Sequence, residues 1–131
     1  MAALQVTQDA AASVRGPLET CPGCRITFAV PAAIAAARAG ELALAEQHEE
    51  QCTYLANVVM RLPAWHAAHD EVRGHIAAAR GAAADETASL FRAAATRFGD
   101  AGQPIDAARC ARLAGLAASG RGTGSLTLTP T

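Results

Sequence analysis

Side chains that suit a packed face recur along most of this chain at alternating spacings of three and four. Ala45, His48, Cys52, Leu55 and Val59 form one such stripe, and Leu62, Trp65, His69, Val72, Ile76 and Ala79 form the next. Those intervals follow the turn of an α-helix rather than the two-residue alternation of a strand. The pattern predicts helices over about 41–60 and from Pro63 to Arg80. A further helix over about 84–98 opens on Asp85 and Glu86, which suit a positive helix N-terminus, and buries Ala88, Phe91, Ala95 and Phe98. Pro104 starts another that runs to about 118. Upstream, a helix is predicted from Ile26 to Gly40 with Pro31 within its first turns. Residues 2–14 can form a short helix that Gly16-Pro17 stops.

Glycines punctuate the pattern. Gly40, Gly81 and Gly102 each follow a predicted helix, and an alanine stripe follows each glycine, at Ala45, Ala88 and Ala107. Connections this short place neighbouring helices antiparallel. The expected fold class is therefore all-α, a stack of antiparallel helical hairpins of about five helices. Gly40 and Gly81 lie 41 residues apart, within the range of helical-hairpin repeats, whereas Gly102 comes early and makes the repeat degenerate. The glycine-then-alanine spacing resembles tetratricopeptide repeats (TPR). Three regions follow: an N-terminal segment over 1–20, a short helix or flexible; a helical-hairpin repeat domain over 21–118; and a flexible Gly, Ser and Thr-rich tail over 119–131.

Composition sharpens this picture in two ways. Apolar residues make up 51% of the 131, but 35 of them are alanine, so the core must be built by close approach of backbones over small side chains. Alanine richness and an aromatic fraction of 4% both disfavour a β protein. Net charge is −1 and no contiguous basic stripe appears, which argues against nucleic-acid binding. No run of about 18 apolar residues offers a membrane span, and the opening segment lacks the basic and apolar regions of a secretory signal. The expected compartment is the cytoplasm, where thiols stay reduced. Cys21, Cys24, Cys52 and Cys110 are accordingly read as thiols, metal ligands or core fillers.

The sharpest local feature is Cys21-Pro22-Gly23-Cys24, a turn by composition that directs two thiols to one side. It is half a metal site. His48 and Cys52, four residues apart on a predicted helix, can supply the other half. Cys24 lies sixteen residues before Gly40 and Cys52 twelve after it, which in an antiparallel pair is an axial offset of roughly 6 Å. Cys21, Cys24, His48 and Cys52 are thus the candidate zinc ligands, and a zinc with four protein ligands would be structural. The competing reading makes a cysteine on an apolar stripe a small hydrophobe. Cys-Pro-Gly-Cys ahead of a helix also resembles thioredoxin-type redox motifs, but without the βαβ context in which those sit.

Other candidates carry less. His66 and His69 are three apart but lack the glutamate of a zinc-protease helix, and His69 is expected to be a hydrogen-bonded core histidine. His66 with Asp70, and His75 with Glu71, are expected on solvated faces, as are Glu46, Glu49 and Glu50. Cys110 is expected to pack among Ala107, Leu113 and Ala114, and Arg109 with Arg112 is a minor basic pair. Ser13, Ser89, Ser119 and Ser125 sit in no strand-turn-helix elbow, and no phosphate loop is present. No catalytic residue is assigned.

Trp65, the run RGHIAAARG at 73–81, LFRAAATRF at 90–98 and GQPIDAARCARLAG at 102–115 carry a more specific resemblance. Residues 21–118 resemble the C-terminal TPR-like helical-repeat region of large ATP-binding regulators, the MalT-like LuxR-type transcription factors and related cyclase-linked proteins. The ATPase module and helix-turn-helix of such regulators would need hundreds of residues not found in this sequence, so their activities do not carry over. The resemblance implies a protein-interaction scaffold that binds a protein partner or a second copy of itself. The function expected from the sequence is a non-enzymatic helical scaffold, with a zinc-binding helical module using Cys21, Cys24, His48 and Cys52 as the alternative.

Overall fold

A computed structural model of the chain describes residues 2–13 and 21–120. Six α-helices follow one another: α1 (Ala2–Ser13), α2 (Pro22–Arg38), α3 (Leu42–Tyr54), α4 (Pro63–Ala79), α5 (Ala84–Asp100) and α6 (Pro104–Ala118). A π-helical segment, Leu55–Met60, extends α3. The described residues contain no strand, and the all-α class holds. The expected tail lies outside the described residues from 121 onward, as does the Gly16-Pro17 stop.

Three helices end in the same way. Gly40, Gly81 and Gly102 adopt left-handed φ of 78°, 72° and 77°. The following N–H in each case reaches back five residues, from Glu41 to Ala36 O, Ala82 to Ala77 O and Gln103 to Phe98 O. This is the Schellman arrangement, which satisfies terminal carbonyls and folds the next helix back along the last. A Cβ at Gly81 would meet nothing within 4 Å, so only backbone strain opposes it. Gly81→Ala is therefore expected to cost about 1–2 kcal/mol, read from the denaturant midpoint with the slope unchanged.

Helix α2 starts earlier than its apolar pattern indicated. Cys21 is the N-cap and Pro22 the first helical residue, so Cys-Pro-Gly-Cys is a helix start rather than a free turn. Pro31 consequently sits mid-helix, on an exposed position. At the other end of the hairpin, the π-helical segment shifts the expected stripe. Leu55 and Ala56 stay buried while Val59 turns out to 39% exposure, and Arg61 closes the segment with φ 48°. Leu62 and Ala79, the ends of the expected α4 stripe, are likewise exposed.

Helix α4 is central, packed against α2, α3 and α5. Its neighbours approach over small residues: Ala29, Ala33, Ala36 and Ala37 of α2 with Val72 and Ile76 form one cluster, which Leu4 of α1 and Cys52 complete. Ala67 and Ala68 meet Ala94, Phe98 and Cys110 in a second. Ala88, as expected, and Ala94 are the fully buried alanines of α5, while the expected Ala95 is only half-buried. The closest approach is at Gly74, where an added Cβ would lie 2.7–2.9 Å from the Phe91 ring. An alanine-rich helix can hold so large a ring only where the facing helix has no side chain at all.

Candidate functional site

Asp70 and Glu71 stand side by side in the middle of α4, at 4% and 5% exposure. The expectation of solvated faces for them and for His75 is corrected: α5 packs along α4, with Arg97 at Asp70 and Phe91 at His75, and α6 reaches Glu71 through Arg109 and Cys110. Successive residues on a helix point about 100° apart, so each carboxylate meets a different helix. Asp70 Oδ2 accepts from Arg97 Nη1 of α5 at 2.8 Å, with Arg73 at 3.7 Å on its other oxygen. Glu71 accepts from Arg109 of α6 through Nε at 3.1 Å and through Nη2 at 2.7 and 3.1 Å. The pairing is bidentate, the strong form of an arginine–carboxylate contact.

Arg109 also donates from Nη1 to Asp106 at 2.6 Å, and its guanidinium lies 5.8 Å from the centre of the Phe98 ring. Burial works against its charge, but the Glu71 and Asp106 carboxylates outweigh that and hold it firmly protonated. Cys110 does more than pack: its thiol donates to Glu71 Oε2 at 2.7 Å. Burial, then that carboxylate, push the thiol well above its ordinary range, so it stays a donor.

This cluster forms one wall of a cleft of about 390 Å³. Val30, Trp65, Ala68 and Phe98 give it an apolar lining, while Gln103, Asp106, Glu71 and Arg109 are its polar groups. Leu62 lines its edge at 51% exposure, a large apolar side chain left half in water. The charged groups Glu71, Asp106 and Arg109 are fixed by each other, which suits them to orient a ligand, whereas the apolar lining offers it burial. Sequence spacing could not reveal the set, because Glu71 and Arg109 are 38 residues apart. The available signal was two adjacent carboxylates inside an apolar helix with arginines on the next two helices.

The four candidate metal ligands separate. Cys21 and Cys24 are exposed and adjacent, with Sγ atoms 2.8 Å apart. Cys52 is fully buried among Leu4, Ala29 and Ala33, and burial, with Glu49 adding to it, pushes its thiol up to about 12. His48 meets the Phe28 ring edge-on at 5.8 Å, and burial lowers its pKa. Among the described residues no three His, Cys, Asp or Glu side chains gather closely enough to hold a metal. The two helices do meet at this level, where Arg25 donates to Gln51 across the hairpin at 2.8 Å. The rotation about the helix axis differs: Cys52 turns into the core while the thiol pair faces outward.

The remaining expectations divide. His69 is hydrogen-bonded as expected, with Nε2 3.1 Å from both Glu49 and Thr53. Glu46 keeps its solvated face, 42% exposed, while accepting from Arg80 Nε at 3.1 Å, whereas Glu49 is part-buried against His69. His75 packs edge-on to Phe91 with ring centres 5.0 Å apart, and its Nδ1 has no hydrogen-bond partner among the described residues. Burial, then the charges of Arg38 and Arg109, lower its pKa to about 4. Unfolded, the same group has a value of 6.5 and takes a proton that the folded chain excludes. Its contribution is therefore complete above pH 6.5 and is lost as pH falls toward 4, by about 3 kcal/mol. Chemical denaturation across that range should show the loss, and His75→Leu should flatten it.

Comparison with family models, with curated proteins and with solved structures finds no match to this chain. Among the described residues no helix is long and apolar enough to cross a membrane.

Proposed function

We propose that the protein is a TPR-like helical scaffold that binds a protein segment in the Trp65 cleft, in a regulatory rather than a catalytic role. The observation that carries this reading is an apolar cleft of about 390 Å³ whose charged groups, Glu71, Asp106 and Arg109, are already bound to one another. Glu71 is occupied by Arg109 and Cys110, so it orients a ligand rather than moving protons. An amphipathic helix or extended peptide with one large apolar side chain would bury that side chain against Trp65, Val30 and Phe98. Its polar neighbours would face Gln103, Asp106 and Arg109. The exposed Leu62 would be covered in the same step. The sequence resemblance to regulator repeat regions points to the same class of role.

Trp65 is the single tryptophan, so its emission reports on the cleft alone. Peptides selected by display against the intact chain should shift that emission on binding and lose affinity about tenfold or more against Leu62→Glu. A shift that grows with protein concentration, together with a rising sedimentation coefficient, would make a second copy the occupant. Selected peptides that leave Trp65 unchanged and bind Leu62→Glu equally well would overturn the reading.

A further inference from the structure

The thiol pair at the start of α2 plays no part in the cleft. We propose that Cys21 and Cys24 form a dithiol site that reduces disulfide substrates, closing to an intramolecular Cys21–Cys24 disulfide as it does so. The geometry has three parts. Cys21 is the N-cap of α2 with φ −68° and ψ 158°, and its Sγ accepts the backbone N–H of Cys24 at 3.2 Å. The Cys21 thiol in turn donates to Cys24 Sγ at 2.8 Å, so the two sulfurs are in direct contact. Both residues are exposed, which gives a substrate access to them.

These contacts distinguish the two sulfurs. Cys21 receives the Cys24 backbone N–H at the positive end of a helix, the environment that stabilises a thiolate, and once ionised it has the Cys24 thiol beside it as a second donor. Its pKa is lowered, first by the Cys24 thiol and then by the Cys24 N–H, while Cys24 is raised by Cys21. Cys21 is thus the attacking sulfur and Cys24 the resolving one. Pro22 and Gly23 hold the pair within one helical turn, and residues three apart there are close enough for a disulfide after a small approach of the sulfurs. Cys52 and Cys110 stand apart from this chemistry, being buried with thiols pushed upward.

The exchange balances as follows. The Cys21 thiolate attacks one sulfur of the substrate disulfide, forming a mixed disulfide and releasing one substrate thiolate, which takes up the proton Cys21 has given to solvent. Cys24, losing its proton, attacks the Cys21 sulfur, and the second substrate thiolate leaves and takes up that proton. Two electrons and two protons pass from the dithiol to the substrate, which ends as two thiols. A small disulfide or an exposed protein disulfide serves equally as oxidant.

The test uses the intact reduced chain and oxidised glutathione at neutral pH, quenched with acid and read by mass spectrometry. The wild-type chain should lose two hydrogens, with alkylation after unfolding mapping the remaining thiols to Cys52 and Cys110. Cys24→Ser should instead accumulate one glutathione on Cys21. Cys21→Ser should acquire its adduct on Cys24 at least about threefold more slowly, with a rate that levels off at higher pH. A circular dichroism spectrum matching wild type confirms that each variant is folded. Wild type that accumulates a stable adduct without closing, or single variants that react at equal rates, would overturn the proposal.

Discussion

Arg109→Leu should lower the stability of the folded chain by about 3 kcal/mol, because it leaves Glu71 as a buried carboxylate without its counter-charge. Glu71 has a side-chain exposure of 6%, so it depends for its partners on the guanidinium and on the Cys110 thiol. Arg109 itself is 38% exposed, which keeps the expected cost at the low end for a broken buried pair. The ion pair is not itself the source of that stability. Desolvating both charges costs nearly what their attraction returns, so the double variant Glu71→Leu, Arg109→Leu should recover to within about 1 kcal/mol of wild type. Urea denaturation of the two singles and the double closes the cycle. A double variant as unstable as Arg109→Leu alone would show that the guanidinium acts chiefly by packing on Phe98.

The largest single loss is expected from Phe91→Ala, about 3–5 kcal/mol. Phe91 is fully buried and packs with Ala88, Leu113, Ala114 and Ala117, so its removal leaves a cavity walled by side chains too small to fill it. Gly74→Ala should cost about 1–3 kcal/mol for the opposite reason, since its methyl group would lie 2.7 Å from the Phe91 ring. The two effects must couple. In the Phe91→Ala background the Gly74→Ala penalty should vanish or reverse, because the added methyl enters the space the ring has left. Thermal melts of the four proteins measure this directly. Purely additive losses would mean that the ring moves aside at small cost.

Much of the architecture was legible because it rests on local rules. The three- and four-residue spacing, the prolines opening α4 and α6, and Gly40, Gly81 and Gly102 locate four helices to within a few residues. The start of α2 was missed because its first turn, Pro-Gly-Cys-Arg, has no apolar stripe, and the N-cap is an unusual cysteine. Val59 was misplaced because one extra residue per turn in the Leu55–Met60 segment breaks the periodicity on which the reading depends.

The candidate sites divide along the same line. A pair such as Cys21 and Cys24 is set by one turn of backbone, so its proximity could be read from the spacing. Whether His48 and Cys52 could join it depended on rotation about the α3 axis. That rotation is decided by which face of α3 buries most against α2 and α4, and there Cys52 goes inward.

By itself, then, the sequence determined the all-α class, the hairpin turns and the thiol pair, because each depends on residues a few positions apart. Only the tertiary structure decided that Asp70, Glu71 and His75 are buried, that Arg97 and Arg109 answer the two carboxylates, and that a cleft opens beside Trp65. On a helix read alone, a carboxylate beside an apolar stripe is a solvated one. It becomes the centre of an ion-pair cluster when two further helices, reaching it from 27 and 38 residues away, exclude water and bring their arginines. No periodicity within α4 encodes that arrival.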